Sequence, residues 1–329
     1  MLRLFRGTGP GVILLMALVA VGLWMYSFTN SEIRGGDEVH DPMVLYGILQ
    51  TITGLNPLIG KITALVLVLV ITSALIAFNT NTFFINERTF LPGIQYIILT
   101  SLFPAFQFLT PVLPASIFLI MAVMRIAGSY RKNGIAYSYF DAALMIGAGS
   151  LFYASLIWFG TLLFIGILLL RTFNLREVFV SVLGLLTPYI ILYGVYFVAD
   201  YDLAELTRTV SRCLFDSNPG IIWSRMTIVT SVFILITILI ASFYLFSVFT
   251  TKKVKSRKIF SLQIWTGIVT LLVYFISPSA GEELIFIFAI PASYILSHYH
   301  IQRKRKKIVP EIMFSGTIVL IVLLQILSF

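Results

Sequence analysis

Residues 58–78 read LIGKITALVLVLVITSALIAF, an apolar run in which Lys61 is the single charged residue. A helix needs about 20 predominantly apolar residues to cross the hydrocarbon core of a membrane, and this run is long enough. Inside lipid, every backbone N–H and C=O group must be satisfied within the segment, which a helix achieves. The run therefore predicts a transmembrane helix.

Runs of the same kind recur along the whole chain. Of its 329 residues, 59% are hydrophobic and 11% are charged, whereas charged residues make up about 25% of a soluble protein. The alternation over about 10 residues that is typical of an outer-membrane barrel is absent. We therefore predict an all-α fold, a polytopic transmembrane helix bundle forming one integral membrane domain over residues 1–329. The eleven predicted spans are 11–28, 58–78, 90–109, 114–128, 137–151, 154–170, 178–198, 223–249, 259–276, 284–299 and 309–328.

The net charge of +9 is explained by membrane topology, so nucleic acid is not an expected partner. If the N-terminus is cytoplasmic, 18 of the 23 Lys and Arg residues lie inside, including the basic runs 252–258 and 303–307. Ten of the 14 acidic residues then lie outside. This distribution follows the positive-inside rule and predicts an inner-membrane protein with its C-terminus outside. The basic runs also favour contact with anionic membrane lipids.

The densest polar cluster lies between the first two spans, in residues 30–57, NSEIRGGDEVHDPMVLYGILQTITGLNP. Carboxylates there suit general base catalysis on an acceptor hydroxyl, or binding of a divalent cation that neutralises a departing phosphate. We expect the catalytic residues to be Asp37, Glu38, His40 and Asp41. Asp37 and Glu38 are the expected ligands of any metal. The alternative is that topology selection alone has gathered acids in an outer loop.

Two outer segments, residues 43–54 and 200–220, predict interfacial helices rather than spans. In the second segment, apolar residues recur at helical spacing, at Leu203, Leu206, Val210 and Leu214. Arg208 and Arg212 are four residues apart and share a helix face. Together with Arg225 at the start of the next span, they are expected to bind a lipid phosphate through their guanidinium groups. A face that simply meets lipid headgroups is the alternative.

The remaining polar residues of the spans have simpler expected roles. Lys61 is expected to extend to the outer interface, as lysines near helix ends do. Asp141, Glu282 and Glu283 lie near helix starts, where a negative charge is favoured by the helix dipole. A proton relay through Asp141 is the minority interpretation.

Two backbone features are predicted within the spans. Pro104 should kink the helix of residues 90–109, because it removes a backbone hydrogen bond and its ring clashes with the preceding turn. Small residues in 142–149, among them Gly147 and Gly149, should allow close contact between helices.

An acidic pair after the first helix, followed by His40-Asp41-Pro42-Met43-Val44-Leu45-Tyr46, resembles the His-Pro-Pro-Leu-Tyr-like signature of C-type membrane glycosyltransferases. Those enzymes use polyprenyl-phosphate-linked sugars as donors. The likeness continues through the Lys61 helix, the SLFPAF turn and the helix pair after Arg131. It covers roughly residues 1–200, and residues 201–329 are additional helices. The chain also looks like an uncharacterised family of bacterial multi-pass membrane proteins.

The resemblance implies transfer of a sugar from a polyprenyl-phosphate donor on the outer face, with Asp37 or Glu38 as base or metal ligand. The glycosyltransferases carry a second acid in the turn after the third helix, where this chain has Ala115 and Ser116 in TPVLPAS. We expect no soluble C-terminal domain, because the chain ends on an apolar helix. Two other functions are open. One is a non-catalytic envelope-assembly or scaffold subunit, which keeps the fold without the chemistry. The other is a lipid or solute transporter, which needs ionisable residues deep in the spans.

Overall fold

The computed structural model of the protein describes residues 5, 7, 9–29, 42–53, 56–130, 136–170, 174–216, 224–302 and 308–327. These residues form α-helices and short 3₁₀ turns without any strand, which confirms the predicted all-α class. In chain order the helices are α1 (Pro10–Thr29), α2 (Val44–Thr53), α3 (Pro57–Thr82), α4 (Leu91–Thr100), α5 (Val112–Gly128), α6 (Ala136–Ser150), α7 (Thr161–Leu170), α8 (Leu175–Val198), α9 (Leu203–Phe215), α10 (Arg225–Ser247), α11 (Val254–Ile276), α12 (Ile285–Gln302) and α13 (Ile308–Leu327).

Seven of the described helices are long and apolar enough to cross a membrane: α1, α3, α8, α10, α11, α12 with the turn before it, and α13. Only 17% of the most apolar part of α8 is buried inside the bundle, so most of its apolar side chains face outward. Such a surface is stable in lipid and not in water, and the protein is membrane-embedded. The other predicted spans coincide with shorter helical segments, so the predicted number of eleven spans is not confirmed.

Helix α4 ends earlier than predicted. The sequence predicts one kinked helix over residues 90–109, whereas α4 stops at Thr100 and is followed by the 3₁₀ turn Pro104–Phe106. Proline has no N–H to donate to the carbonyl of Thr100, and it disfavours helical geometry in the residue before it. Pro104 therefore terminates the helix instead of bending it.

The non-helical backbone after α4 is held by side chains of other segments. Ser27 Oγ donates to the carbonyl of Gln107 at 2.6 Å, and Gln107 Nε2 donates to the carbonyl of Leu23 at 3.1 Å. The Tyr46 hydroxyl donates to the carbonyl of Leu109 at 2.8 Å. Irregular backbone is tolerated at membrane depth only where protein groups satisfy it, and these bonds do so.

Helices α6 and α8 pack very closely, as the small residues of α6 predict. A Cβ atom on Gly147 would lie 2.5 Å from the carbonyl oxygen of Leu185. A Cβ atom on Gly184 would lie 2.6 Å from the carbonyl oxygen of Phe140. Both distances are far below an ordinary van der Waals contact, so glycine is required on both sides of this contact.

Both predicted interfacial segments are helices, α2 and α9, and both lie at one end of the bundle. The Leu45 N–H of α2 donates to the carbonyl of Leu151, in the turn after α6, at 3.2 Å. The two helices share an apolar cluster whose buried members are Met43, Leu151, Ala154, Leu192 and Leu206. We name this the acid-rich end, because its described residues include Asp200, Asp202, Glu205, Asp216, Glu282 and Glu283.

The opposite end of the bundle carries most of the described cations, and we name it the basic end. Its lysines and arginines are Arg88, Arg125, Arg176, Lys252, Lys253, Lys255, Arg257 and Lys258. Arg125 and Asp141 form an exposed ion pair there, with 3.9 Å between the charged atoms. The separation of charges agrees with the sequence analysis, although the assignment of the basic end to the cytoplasm stays a prediction.

Lys61 does not extend to the membrane interface as predicted. Its side chain is 3% exposed, and Nζ donates to the carbonyl of Ser27 near the end of α1. A buried ammonium group is stabilised by hydrogen bonds, and a carbonyl in the last turn of a helix is a favourable acceptor. Lys61 therefore joins α3 to α1.

Candidate functional site

The residues predicted to be catalytic, Asp37, Glu38, His40 and Asp41, lie outside the residues that the structure describes. The described residues on either side of them, Thr29 and Pro42, both lie at the acid-rich end, where α1 ends and α2 is about to begin. The catalytic assignment of the four residues stays a prediction.

The three arginines predicted to bind a lipid phosphate are all exposed at the acid-rich end. Arg208 and Arg212 lie on the face of α9 opposite Leu206, which is buried in the apolar cluster. Arg225 is the first residue of α10. Arg208 and Arg212 therefore point away from the bundle, toward headgroups or solvent. Their role in phosphate binding stays a prediction.

A carboxylate that the sequence analysis assigned to the helix dipole is buried at the same end. Glu283 is 8% exposed and lies in the 3₁₀ turn Glu282–Leu284, which leads directly into α12. The position fits a dipole partner, because a negative charge is favoured at a helix start. Burial adds a second property, since a carboxylate held away from water is available for acid–base chemistry.

Two tyrosines from distant segments lie near enough to Glu283 for its charge to act on them. Burial raises the pKa of the Tyr46 hydroxyl, and the charge of Glu283 raises it further. The same two causes, in the same order, raise the pKa of Tyr153 well above its ordinary value. Both groups therefore remain neutral hydroxyls near the Glu283 carboxyl group at physiological pH. A carboxylate with neutral hydroxyl neighbours can accept and donate hydrogen bonds within one small region.

Helix α2 is the element that brings Tyr46 to this position. Its inner face carries Tyr46, which is 4% exposed, and its outer face carries Ile48 and Ile52, which are 56% and 63% exposed. An amphipathic helix of this kind lies in the membrane interface with its apolar face toward lipid. The hydrogen bond from Tyr46 to Leu109 fixes the ring, so the position of α2 sets the position of the hydroxyl.

Three serine hydroxyls form a cluster nearby, with Ser277 and Ser279 on the loop between α11 and α12 and Ser155 in the 3₁₀ turn Ala154–Gly160. Ser155 Oγ lies 2.7 Å from Ser279 Oγ and 3.3 Å from Ser277 Oγ, and Ser277 and Ser279 are 3.2 Å apart. Ser279 also donates to the carbonyl of Leu214 on α9, at 3.1 Å. The cluster joins three separate segments, and Ser155 lies close enough to Tyr153 to oppose part of the rise in the pKa of its hydroxyl.

An open pocket of about 350 Å³ adjoins the serine cluster. It is lined by the end of α11 and the following loop, and Tyr274, Ser277 and Glu282 are among its lining residues. A cavity of this size lies at the lower end of the range for small-molecule sites. Carboxylate and hydroxyl groups at its edge suit a ligand that is itself rich in hydroxyl groups.

A metal site is not formed by the described part of the chain. Within it, no three His, Cys, Asp or Glu side chains come close enough together to hold a metal ion. The expected divalent cation rests on Asp37 and Glu38, which lie outside that part. It stays a prediction.

Sequence reasoning missed the group formed by Glu283, Tyr46 and Tyr153. These residues are widely separated in the chain, and each has an ordinary sequence context: an acid before a helix, or an aromatic residue near an interface. The one available signal was the proline-rich TPVLPAS region. Its prolines indicate a tight turn at the acid-rich end of the bundle. Short turns place the ends of neighbouring helices close together, so residues from different segments come into contact there.

Comparisons with known proteins give a family but no function. The chain matches neither a curated protein nor a solved structure. A family model, described as a family of unknown function (DUF6427), matches residues 42–329. The matched range contains Tyr46, Tyr153 and Glu283, and it begins one residue after Asp41. The match extends over most of the chain, and the protein is therefore a member of the DUF6427 family of unknown function.

Proposed function

We propose that the protein is a glycosyltransferase-C-like enzyme of the inner membrane that transfers a sugar from a polyprenyl-phosphate donor at its acid-rich end. The observation that carries the proposal is the buried carboxylate of Glu283 beside the neutral hydroxyls of Tyr46 and Tyr153. Sugar transfer needs a carboxylate that can take a proton from an acceptor hydroxyl, and it needs hydrogen-bonding groups that orient a polyol.

The proposed site uses two carboxylates from different parts of the chain. Asp37 or Glu38 acts as base or metal ligand, as the resemblance to C-type glycosyltransferases implies, and His40 and Asp41 support it by hydrogen bonding. The second acid of those enzymes has no counterpart in the TPVLPAS turn. Ala115 is fully buried there, and Ser116 Oγ donates to the carbonyl of Val112 within α5. Glu283 supplies the second carboxylate instead.

The donor lipid is placed by the exposed arginines. Arg208, Arg212 and Arg225 present guanidinium groups at the end where headgroups of the adjoining leaflet lie, and such groups pair with phosphate through two parallel hydrogen bonds. Because Leu206 anchors α9 to the bundle, the arginine face is held at a fixed height relative to Glu283. On the proposed topology this end faces outward, with the N-terminus in the cytoplasm.

The test replaces each carboxylate by its neutral amide in the full-length protein. Deletion of the wild-type protein should change the lipid-linked or envelope glycans of the cell, as measured by mass spectrometry of cell extracts. Glu283→Gln, and separately Asp37→Asn with Glu38→Gln, should fail to restore the wild-type glycans. Glu205→Gln is the matched control, because this acid is at the same end of the bundle but is exposed and does not line the pocket. Membrane levels and size-exclusion profiles establish that each variant is folded. An unchanged glycan profile in folded Glu283→Gln removes this residue from the site.

A second candidate is a non-catalytic subunit for assembly of the cell envelope. The observation that favours it is the fully buried Ala115 at the position where the resemblance calls for an acid. The outward apolar face of α8 would then contact a helix of a partner protein. If the protein has this function, cells carrying the amide variants show the wild-type phenotype. A stoichiometric membrane partner then co-purifies with the wild-type chain. A lipid or solute transporter ranks third, because it needs ionisable residues deep in the membrane spans.

A further inference from the structure

Lys252 at the basic end is a buried cation without a counterion. It lies between α10 and α11, directly after the 3₁₀ turn Phe249–Thr251, and is 7% exposed. Its Nζ lies 5.1 Å from the centre of the Phe260 ring and has no hydrogen-bond partner in the described part of the chain. Burial lowers the pKa of Lys252 to about 8, so the amine is still largely charged at neutral pH.

No acid among the described residues forms an ion pair with Lys252. Four of the chain's acids belong to the basic end: Glu87, Asp141, Glu177 and Glu311. Asp141 pairs with Arg125, and each of the other three takes part in an interaction within the protein. The undescribed stretches that adjoin this end, 131–135, 171–173 and 303–307, contain no acidic residue. A buried unpaired ammonium group is costly, so an anion from outside the chain would stabilise it.

His298 lies beside Lys252 and is also incompletely satisfied. It is fully buried between the rings of Tyr244 and Phe260, at 6.1 Å and 5.2 Å between ring centres, and the charge of Lys252 acts on it. Gln302 lies near the ring, but neither ring nitrogen makes a hydrogen bond of normal geometry within the described residues. An imidazole N–H next to an ammonium group is a second donor for the same anion.

An apolar groove on α10 leads to this polar pair. It has a volume of about 550 Å³ and is lined by Ile236, Leu239, Ile240, Phe243, Tyr244 and Ser247. Tyr244 belongs to both regions, because it lines the groove and its ring packs against His298. The groove therefore runs along a membrane-spanning helix from its apolar middle toward the buried cation. An acyl chain with an anionic headgroup has this arrangement of apolar and charged parts.

We propose that Lys252, His298 and the α10 groove form a binding site for one anionic phospholipid. The phosphate accepts hydrogen bonds from Lys252 Nζ and the His298 ring, and an acyl chain lies in the groove. The lipid supplies the negative charge that the chain does not provide at this position. The site lies at the opposite end from the proposed sugar-transfer site and does not depend on it.

The experiment uses the purified full-length chain in detergent, with native mass spectrometry to count bound phosphatidylglycerol or phosphatidylcholine with the same acyl chains. Wild-type protein should retain one phosphatidylglycerol in preference to phosphatidylcholine. Lys252→Met should bind phosphatidylglycerol about tenfold more weakly, since it loses a charged hydrogen bond. Lys255→Met is the matched control, because Lys255 is exposed and only three residues away, and it should change binding less than about twofold.

Other results would overturn the proposal. Equal binding by Lys252→Met and the wild type excludes Lys252, and equal loss in both variants indicates general attraction of basic residues to anionic lipid. If inorganic phosphate alone removes the bound phosphatidylglycerol and stabilises the protein equally, the site is for free phosphate. Should Lys252→Met fail to fold, Leu239→Trp tests the groove instead. It leaves the lysine in place, and unchanged lipid binding by this variant contradicts the proposal.

Discussion

Replacement of Gly147 by alanine tests how closely α6 and α8 must approach. The new Cβ would lie 2.5 Å from the Leu185 carbonyl oxygen and 3.0 Å from Pro188 Cγ. Neither atom belongs to the far end of a flexible side chain, so the two helices must separate by several tenths of an ångström. The separation also stretches the hydrogen bond between Ser150 and Tyr189, whose hydroxyl oxygens are 2.9 Å apart.

The expected cost follows from two opposing effects. Extra atoms in a well-packed contact cost about 1–3 kcal/mol. Alanine in a helix interior recovers about 0.5–1 kcal/mol relative to glycine. Gly147→Ala should therefore be destabilised by about 1–2 kcal/mol. Gly194→Ala is the matched control, since no atom lies within 4 Å of its new Cβ, and this variant should keep the gain in helix propensity alone.

The assay is thermal unfolding in detergent, followed by intrinsic tryptophan fluorescence. The two variants should differ by about 1.5–3 kcal/mol, and with roughly 2–4 °C of Tm per kcal/mol this is about 3–12 °C, with Gly147→Ala the lower. Combining Gly147→Ala with Gly184→Ala should cost less than the sum of the single changes, because one separation of α6 and α8 relieves both clashes. If Gly147→Ala unfolds at the temperature of Gly194→Ala, the close approach of the two helices is wrong.

Three further predictions use the same unfolding assay. The folded pKa of Lys252, about 8, lies below its ordinary value of 10.5, so the unfolded state binds more protons between these values. Stability should therefore rise with pH across this window in the wild type and not in Lys252→Met. Tyr46→Phe leaves the buried Leu109 carbonyl without its donor and should cost about 1–3 kcal/mol. Asp141→Asn removes an exposed ion pair with Arg125 and should change stability by less than about 0.5 kcal/mol.

Each of these predictions has a contrary outcome. A flat pH profile in the wild type shows that Lys252 is hydrated in the folded state. Unchanged stability of Tyr46→Phe shows that water replaces the tyrosine hydroxyl. A large loss of stability in Asp141→Asn, or a loss of function at unchanged stability, favours the proton-relay interpretation of this residue.

The helices were predictable because length and apolarity alone require them in a membrane. The run around Lys61 and the small residues around Gly147 each determine local structure through their own chemistry. Pro104 was predicted to kink a continuous helix, whereas in the structure the helix ends before it, at Thr100. The sequence did not show that Ser27 and Tyr46 supply hydrogen bonds that allow the helix to end there.

The candidate site was less predictable, because burial depends on residues that are distant in sequence. Glu283 is buried at the start of α12, and the two tyrosines that its charge affects, Tyr46 and Tyr153, come from much earlier in the chain. Lys61 was expected at the interface because it lies near a helix end, but its side chain is buried and donates to the carbonyl of Ser27 on α1. Local patterns identify which residues are chemically capable, whereas packing decides which of them meet.

The short helix α4 has a consequence for how the protein enters the membrane. Its 10 residues rise about 15 Å, half the thickness of the hydrocarbon core. The backbone that continues it depends on donors from Ser27 and Tyr46, both of which are synthesised earlier. This segment cannot partition into lipid as an independent unit during translation, so α1 and α2 must already be in place to receive it. Biogenesis of the bundle is therefore ordered, with the N-terminal helices acting as a template for those that follow.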